Sequence, residues 1–460
     1  MNIKFLLSII VILTLSACNG GSDGTDQITI PEIIEPEIFK LTEINFVDEN
    51  LKECILNQNV EYSNEIVDID CGYNRITFLD GIEYLSSLES LDIKVLDLST
   101  IDLSQNKQLR ILKIYGESLT HIDTSFNTLL TELDLSQTNI TTLDLTNSLL
   151  LDTLTIWGSS LTNLDLTNNL KLKNLYLHNM ILSELDLTKN TALTELKIYD
   201  PSIITTTSST ISATAEQRIK TVDLSNNTEL TSLYIDSPVF NDLDISNNLN
   251  LTNLYIDKAP ITYLNISKNI KLTDINILST LLTSIEVTPH TSLTYLTVTD
   301  MPITSINLLN NTELQYLNLF KTSIETIDLD SNTLLTTVLL KFNNLNSLSI
   351  LHNKKIQSLT FSNNNIKNIN LVNNTELQKL AFYYTQISSL DTSTNIQLEV
   401  LYATSNLLTD IDLFKNKKLK SLQINNNLLT DLDLTNNTEL TELRYDYGVN
   451  CTGSPCDLKK

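Results

Sequence analysis

Two short stretches of one repeat decide the fold: residues 172–177 read LKNLYL, and residues 182–190 read LSELDLTKN. Both begin with the pattern L-x-x-L-x-L, and their first leucines are 10 residues apart. The second pattern recurs with a period of 21 residues along most of the chain, except for one step of 37 residues between Asp186 and Asp223. A fixed period of this length predicts a solenoid, because one coil cannot bury its apolar edge without stacking on its neighbours.

Each coil is expected to contain two short strands or extended segments. In L-x-L, the two leucines point to one face and the middle side chain points to the other, which is the alternation of a β-strand. The leucines and isoleucines of successive coils would then stack into one continuous core. Both halves of the coil carry this pattern, so either half is a candidate for the main sheet.

An asparagine follows the second strand pattern in coil after coil, and only Ser148 and His290 interrupt the column. An amide side chain offers both donors and an acceptor, so stacked asparagines can satisfy backbone groups where the chain turns. We predict a structural asparagine ladder, since a catalytic amide would not be needed in every coil. Its members are Asn106, Asn127, Asn169, Asn190, Asn227, Asn248, Asn269, Asn311, Asn332, Asn353, Asn374, Asn395, Asn416 and Asn437.

The pattern L-x-x-L-x-L-x-x-N resembles the core motif of leucine-rich repeats over residues 66–443. The nested halves of 10 and 11 residues are similar to the short bacterial subclass called IRREKO. The resemblance implies a β-rich leucine-rich-repeat solenoid. The extra residues of the long step, 202–217, are rich in Ser, Thr and Ala and are predicted to form an inserted loop.

Both ends depart from the repeat, as the capping of an exposed core requires. Residues 41–65 are the predicted N-terminal cap. Within them, Phe46, Leu51, Cys54 and Ile55 have helical spacing, and Asp48 is suited to cap the N-terminus of that helix. This short helix resembles the N-terminal cap of internalin-like proteins. Residues 444–460 are the predicted C-terminal cap.

Four of the five cysteines lie in two local groups that flank the repeats: Cys54 with Cys71, and Cys451 with Cys456. An oxidising compartment would allow both pairs to form disulfides. Metal ligation is the alternative, but no histidine lies near either pair in the sequence.

The N-terminus has the features of an export signal. Residues 1–17 carry Lys4 and an apolar stretch that is too short to span a bilayer. Residues 15–18, LSAC, resemble the lipobox of bacterial lipoproteins, which implies cleavage before Cys18 and attachment of lipid to that cysteine. An ordinary cleavage site followed by a chance cysteine is the alternative.

Residues 18–40 carry early glycines, two prolines and scattered acids, so we expect a flexible acidic tether. The resemblance then implies an outer-membrane lipoprotein, either periplasmic or exposed at the cell surface. Contact with the membrane would be made through the lipid anchor only.

The chain is strongly acidic, with 30 Lys and Arg residues against 55 Asp and Glu residues and a net charge of −25. Such a surface repels nucleic acid phosphates and favours solubility, cations or basic partners. Nucleic acid is therefore excluded as a partner.

Aromatic residues gather at the outward positions of the first strand pattern, where the core does not need them. Rings with a polar tip are typical of surfaces that recognise proteins or sugars. The alternative is that tyrosine is simply a good strand former at an exposed site. We predict a partner-binding face for a protein or a surface glycan, made by Tyr115, Trp157, Tyr176, His178, Tyr199, Tyr234 and Tyr255.

An acidic column occupies the middle of the second L-x-L pattern, and a hydroxyl residue follows two positions later in most coils. Stacked carboxylates repel one another unless hydroxyls, water or a cation offset their charge. Calcium is one possibility, since it prefers oxygen ligands, but the chain has no D-x-D-x-D-G loop. The residues concerned are Asp102, Asp123, Asp144, Asp165 and Asp186.

The sequence offers no catalytic constellation. Its four histidines are far apart along the chain, and the nine glycines form no phosphate-binding motif. We therefore expect an exported, lipid-anchored binding protein rather than an enzyme. The alternatives are a calcium-stabilised spacer or adhesin stalk without a dedicated site, and a glycan-acting enzyme, which the missing constellation disfavours.

Overall fold

The computed structural model describes residues 37–200 and 218–458. The predicted signal segment, Cys18, nearly all of the tether and the inserted loop 202–217 lie outside these residues. Ile38–Lys460 forms one compact unit, and its buried leucines and isoleucines make a single continuous core. No helix in the described ranges is long and apolar enough to cross a membrane.

The first half of each coil forms the main sheet, in which 18 parallel strands lie in chain order. From β2 onwards, neighbouring strands pair residues that are 21 positions apart, such as Leu154 with Leu175, except at the insert, where Leu196 pairs with Leu233. The strands are β1 (Asp68–Ile76), β2 (Ser90–Val95), β3 (Ile111–Tyr115), β4 (Glu132–Ser136), β5 (Thr153–Trp157), β6 (Asn174–His178), β7 (Glu195–Tyr199), β8 (Ser232–Asp236), β9 (Asn253–Asp257), β10 (Asp274–Leu278), β11 (Tyr295–Thr299), β12 (Tyr316–Phe320), β13 (Thr337–Leu339), β14 (Ser358–Thr360), β15 (Lys379–Ala381), β16 (Val400–Tyr402), β17 (Ser421–Gln423) and β19 (Glu442–Arg444). A separate two-stranded sheet pairs β18 (Asp431–Asp433) with β20 (Asn450–Thr452).

The strands alternate as the L-x-L pattern predicts. In β6, Leu175 and Leu177 are buried, whereas Asn174, Tyr176 and His178 remain partly exposed. The same alternation in successive coils stacks the inward side chains into the core. The predicted leucine-rich-repeat solenoid is confirmed.

The second half of the coil is extended but, within the described residues, pairs as a strand only at β18. The aspartate of L-D-L hydrogen-bonds to its own backbone in most coils. The Thr188 amide donates to Asp186 Oδ1 at 2.9 Å, so this N–H is satisfied inside its own coil and not by the neighbouring coil. Asp102, Asp123, Asp144 and Asp165 accept the same hydrogen bond.

The asparagine column lies buried where the chain turns back towards the main sheet. The Nδ2 group of Asn127 donates to the carbonyl oxygens of Leu103 at 3.1 Å and Asn106 at 2.8 Å, both in the preceding coil. Asn190 repeats this bridge to Leu166 and Asn169. Each side chain thus ties two coils together, and it does so through carbonyls that also accept a backbone N–H bond within their own turn, as Leu103 accepts from the Asn106 amide.

The ends of the repeat region are covered by short elements. Helix α1 (Glu49–Leu56) begins after Asp48, whose Oδ1 accepts from the Asn50 and Leu51 amides at 2.8 and 3.0 Å. Disulfides join Cys54 to Cys71 at the N-terminal end and Cys451 to Cys456 at the C-terminal end. The described residues also include short 3-10 helices at Leu41–Glu43, Ser63–Glu65, Ile82–Tyr84 and Ser454–Leu458.

Candidate binding face

The outward face of the main sheet brings five of the predicted aromatic residues into one continuous row. Trp157, His178 and Tyr199 lie side by side at the ends of β5, β6 and β7. Ring centroids are 5.9 Å apart between Trp157 and His178 and 5.4 Å apart between His178 and Tyr199. The row continues to Tyr234 at 6.3 Å and from there to Tyr255 at 4.1 Å. We call these five residues the aromatic ladder.

Tyr176 and Tyr115 lie beside the ladder rather than in it. The Tyr176 hydroxyl donates to Glu195 Oε2 at 2.6 Å, and Lys197 Nζ lies 4.7 Å from the centre of the Tyr176 ring. Tyr115 stands on β3, two strands before Trp157, and its hydroxyl donates to Asp134 Oδ2 at 3.4 Å. Both tyrosines are therefore positioned by neighbouring charged side chains.

The stacking geometry determines which part of each ring solvent can reach. Tyr234 and Tyr255 are parallel within 4° at 4.1 Å, so each covers one face of the other. Both residues are half-buried, whereas Trp157 is 41% exposed. The ladder thus offers ring edges, hydroxyl tips and one indole, on a support of packed strands.

Burial disfavours the charged forms of two tyrosines and the histidine on this face. Burial, together with the hydrogen bond to Glu195, raises the pKa of Tyr176 above its ordinary value. Burial also raises the pKa of Tyr234, and the neighbouring Tyr255 adds to the effect. Burial and then the positive charge of Lys197 lower the pKa of His178. The hydroxyl groups of Tyr176 and Tyr234 and the His178 imidazole therefore act as neutral hydrogen-bonding groups.

A buried ion pair holds the two chain ends from which the insert leaves the coil. Arg218 Nη1 lies 3.2 Å from Asp200 Oδ1, and both residues are more than nine-tenths buried. Asp200 directly follows Tyr199, and its amide donates to the Asp236 carbonyl oxygen at 2.7 Å. Burial raises the pKa of Asp200 to about 6, although Arg218 opposes the shift. The pair fixes the backbone next to the ladder.

The structure also shows aromatic contacts that the sequence analysis missed. Tyr295 and Tyr316 stack at 4.1 Å on β11 and β12, and Tyr383 lies 6.0 Å from Tyr402. Tyr295 and Tyr316 occupy equivalent outward positions one period apart. They stand one residue before the L-x-L of their coils, outside the outward positions on which the predicted aromatic residues lie.

The acidic column has local hydrogen-bond partners. The Thr167 amide and hydroxyl both donate to Asp165 Oδ1, at 2.9 and 2.7 Å, and these bonds lower the pKa of Asp165. In the part of the chain that the structure describes, no group of three or more His, Cys, Asp or Glu side chains is placed to hold a metal ion. Calcium along Asp102 to Asp186 stays a hypothesis.

Comparison with known proteins identifies the fold class. No family model matches the sequence, and no curated protein matches it. The solved functional domain of InlJ from Listeria monocytogenes is similar, with a TM-score of 0.63 and 26% identity over 83% of this chain and 79% of that chain. A leucine-rich-repeat protein from Leptospira interrogans gives a TM-score of 0.62 at 16% identity over 80% of this chain and 92% of that one.

An internalin (inlF) from Listeria monocytogenes is also similar, with a TM-score of 0.56 and 20% identity over 76% of this chain and 98% of that chain. The molecule therefore has the leucine-rich-repeat fold, and its structural neighbours are internalin-like proteins. The InlJ domain is described as including a cysteine ladder. This chain has only five cysteines, and asparagine forms its buried polar column.

Proposed function

We propose that this chain is an exported leucine-rich-repeat protein that binds a protein partner through the outward face of its main sheet. The aromatic ladder carries the proposal, because it is a continuous row of five rings on strands that the core holds in register. Rigid aromatic side chains bury a large area at a small cost in conformational entropy, which suits them to anchor an interface.

The ring geometry favours a protein over a glycan. A sugar ring packs flat against an open aromatic face, but Tyr234 and Tyr255 each cover one face of the other. The stacked pair therefore offers more ring edge and hydroxyl than open face, which fits the backbone and side-chain groups of a polypeptide. Trp157, the most exposed ring of the ladder, would be the principal anchor.

Partner capture tests this proposal. Residues 38–460, immobilised and exposed to cell-surface extract, would be compared with the variant Trp157→Ala, Tyr176→Ala, Tyr199→Ala. We expect the variant to retain at most about a tenth of the captured partner, since central aromatic anchors typically contribute about 2 kcal/mol or more each. Circular dichroism would verify that the fold is unchanged.

The matched control is Tyr263→Ala with Tyr384→Ala, which removes two exposed tyrosines outside the ladder. It should capture as much partner as the unmodified protein. Equal losses in the two variants, or no loss in either, would refute the ladder as the binding site.

We further propose export and lipid attachment at Cys18. The two disulfides support an oxidising compartment, since such bonds seldom persist in the cytosol. Metabolic labelling with radioactive palmitate provides the test: the unmodified protein should carry the label in the membrane fraction, and Cys18→Ser should lose it. Equal labelling of both proteins would contradict the assignment.

A further inference from the structure

One edge of the coil stack differs in character from the rest of the surface. Each ladder asparagine sits in a turn that precedes a strand, and the register of 21 residues aligns these turns in rows. Asn190 is fully buried, whereas its neighbours Lys189 and Thr191 are exposed. We define the asparagine rim as the five positions centred on each ladder position, including those of Ser148 and His290.

The rim is basic although the chain is acidic. It carries ten lysines against five acidic residues, a net charge of +5, whereas the whole chain carries −25. Half of these lysines come from two turns that are three coils, or about 14 Å, apart. They are Lys354, Lys355, Lys415, Lys417 and Lys418, and all five are exposed.

These lysines form no close salt bridge within the described residues, although Lys415 and Lys418 interact electrostatically with Asp391 and Glu399. None of the five forms an ion pair there, and Lys418 Nζ donates only to the uncharged Gln397 side chain, at 2.5 Å. Glu376 is the one acidic rim residue between the two turns. The rim therefore keeps a positive charge that is open to solvent.

Apolar side chains are exposed on the same coils. Val372 and Ile396 are each 50% exposed and Phe414 is 58% exposed, all within the rim. None of the three belongs to the buried core. Positive charge and exposed apolar groups are thus combined along one edge.

We propose that the asparagine rim of residues 351–418 docks onto an anionic lipid bilayer. The lysines would contact phosphate groups, while Phe414, Ile396 and Val372 enter the headgroup boundary, which is how basic amphipathic surfaces bind membranes. The remaining surface is acidic and is repelled by the same bilayer, so the charge distribution selects the rim as the contact. This inference goes beyond the proposed partner binding and does not depend on it.

Vesicle binding tests the inference. Residues 38–460 contain the whole described core and lack the proposed anchor. They would be sedimented with vesicles of phosphatidylcholine alone or with roughly a third phosphatidylglycerol, at low salt. We expect binding to the anionic vesicles only, with loss as salt rises. Reversing Lys354, Lys355, Lys417 and Lys418 to Glu should lower the partition coefficient at least about tenfold.

A second variant, Val372→Ser with Phe414→Ser, leaves the charge unchanged and should lower binding several-fold. The matched control reverses four lysines outside the rim, Lys220, Lys341, Lys367 and Lys379, and should keep most of the binding. Equal loss in the control would overturn the proposal. So would failure of the unmodified protein to bind anionic vesicles, whether or not it binds a soluble polyanion such as heparin.

Discussion

At the scale of single residues, the asparagine ladder shows why one residue type recurs in a column. Its amide group carries two N–H bonds, and Asn311 uses Nδ2 to reach the carbonyl oxygens of Val287 and His290, both at 2.8 Å. A smaller or differently shaped side chain cannot span both carbonyls. The two exceptions in the column are therefore informative.

His290 is the exception that a substitution can test. Its Nε2 lies 3.1 Å from the Ile266 carbonyl oxygen and its Nδ1 lies 3.2 Å from that of Val287, but a neutral imidazole donates only one hydrogen bond. His290→Asn would restore both bonds to the preceding coil. We expect the free energy of unfolding to rise by about 1 kcal/mol, measured by urea denaturation.

The reverse substitution, Asn248→His, is the matched control and should lower the free energy of unfolding by a similar amount, because it removes one bond to Leu224 or Asn227. If His290→Asn were no more stable than the unmodified protein, the two-carbonyl bridge would not be the reason for the column.

At the scale of elements, the extended second half of the coil is shaped by its aspartates. Hydrogen bonds from the amide and hydroxyl groups two residues later lower the pKa of Asp102, Asp144 and Asp165 below the ordinary value of 3.8. A carboxyl group whose folded-state pKa is lowered stabilises the fold above its unfolded pKa. That contribution is lost as the pH falls through the lower, folded-state values.

We therefore expect the melting temperature to fall below about pH 4 as these carboxylates are protonated, and to be nearly constant only above about pH 6, where Asp200 is ionised as well. Replacing Asp144, Asp165 and Asp186 together by Asn should make the decline shallower, since amides keep an acceptor oxygen but do not titrate. Differential scanning calorimetry from pH 3 to 7 would measure both proteins. Parallel curves would show that these carboxylates do not control acid stability.

The hydrogen bonds of these carboxylates also bear on whether calcium binds along the acidic column. Each Oδ1 atom of Asp102 to Asp186 already accepts a local hydrogen bond, so the column does not need a cation to hold its shape. We expect EDTA to leave the melting temperature unchanged and added calcium to raise it little. A fall of several degrees in EDTA, restored by calcium but not by magnesium, would support calcium along this column.

At the scale of the whole molecule, the coils depend on their neighbours, so the two ends are the weak points. Each end has a disulfide that closes a local loop, with sequence separations of 17 residues at Cys54–Cys71 and 5 residues at Cys451–Cys456. In the chain-entropy model these loops contribute about 3 and about 2 kcal/mol, respectively.

We predict that Cys54→Ser with Cys71→Ser loosens the N-terminal end without unfolding the centre. Hydrogen exchange should become faster in α1 and β1 and stay unchanged in β10, because each coil contacts mainly its neighbours. The companion variant is Cys451→Ser with Cys456→Ser, in which only β18 and β20 should show faster hydrogen exchange. Uniform acceleration along the chain would instead indicate one cooperative unit.

The sequence alone was sufficient to predict the solenoid fold, because the pattern of leucines repeats every 21 residues. The inward leucines, the asparagine column and the positions of the cysteine pairs all follow from the spacing of residues, and stacking allows few other arrangements. The aromatic residues of β5 to β9 could be placed on one outward face for the same reason.

The tertiary structure determined the features that the repeat period alone does not distinguish, namely which half of the coil forms the main sheet and how the aromatic rings are oriented. Both halves of the coil carry L-x-x-L-x-L, but only the first half pairs throughout as the main sheet. The aspartates of the second half bind their own backbone. Contacts between coils likewise determine the orientation of the rings. Tyr234 stacks on Tyr255, whereas Tyr176 hydrogen-bonds to Glu195 and contacts Lys197. Periodicity determines which residues become neighbours, whereas hydrogen bonds and packing between those neighbours determine the groups that each one presents to solvent.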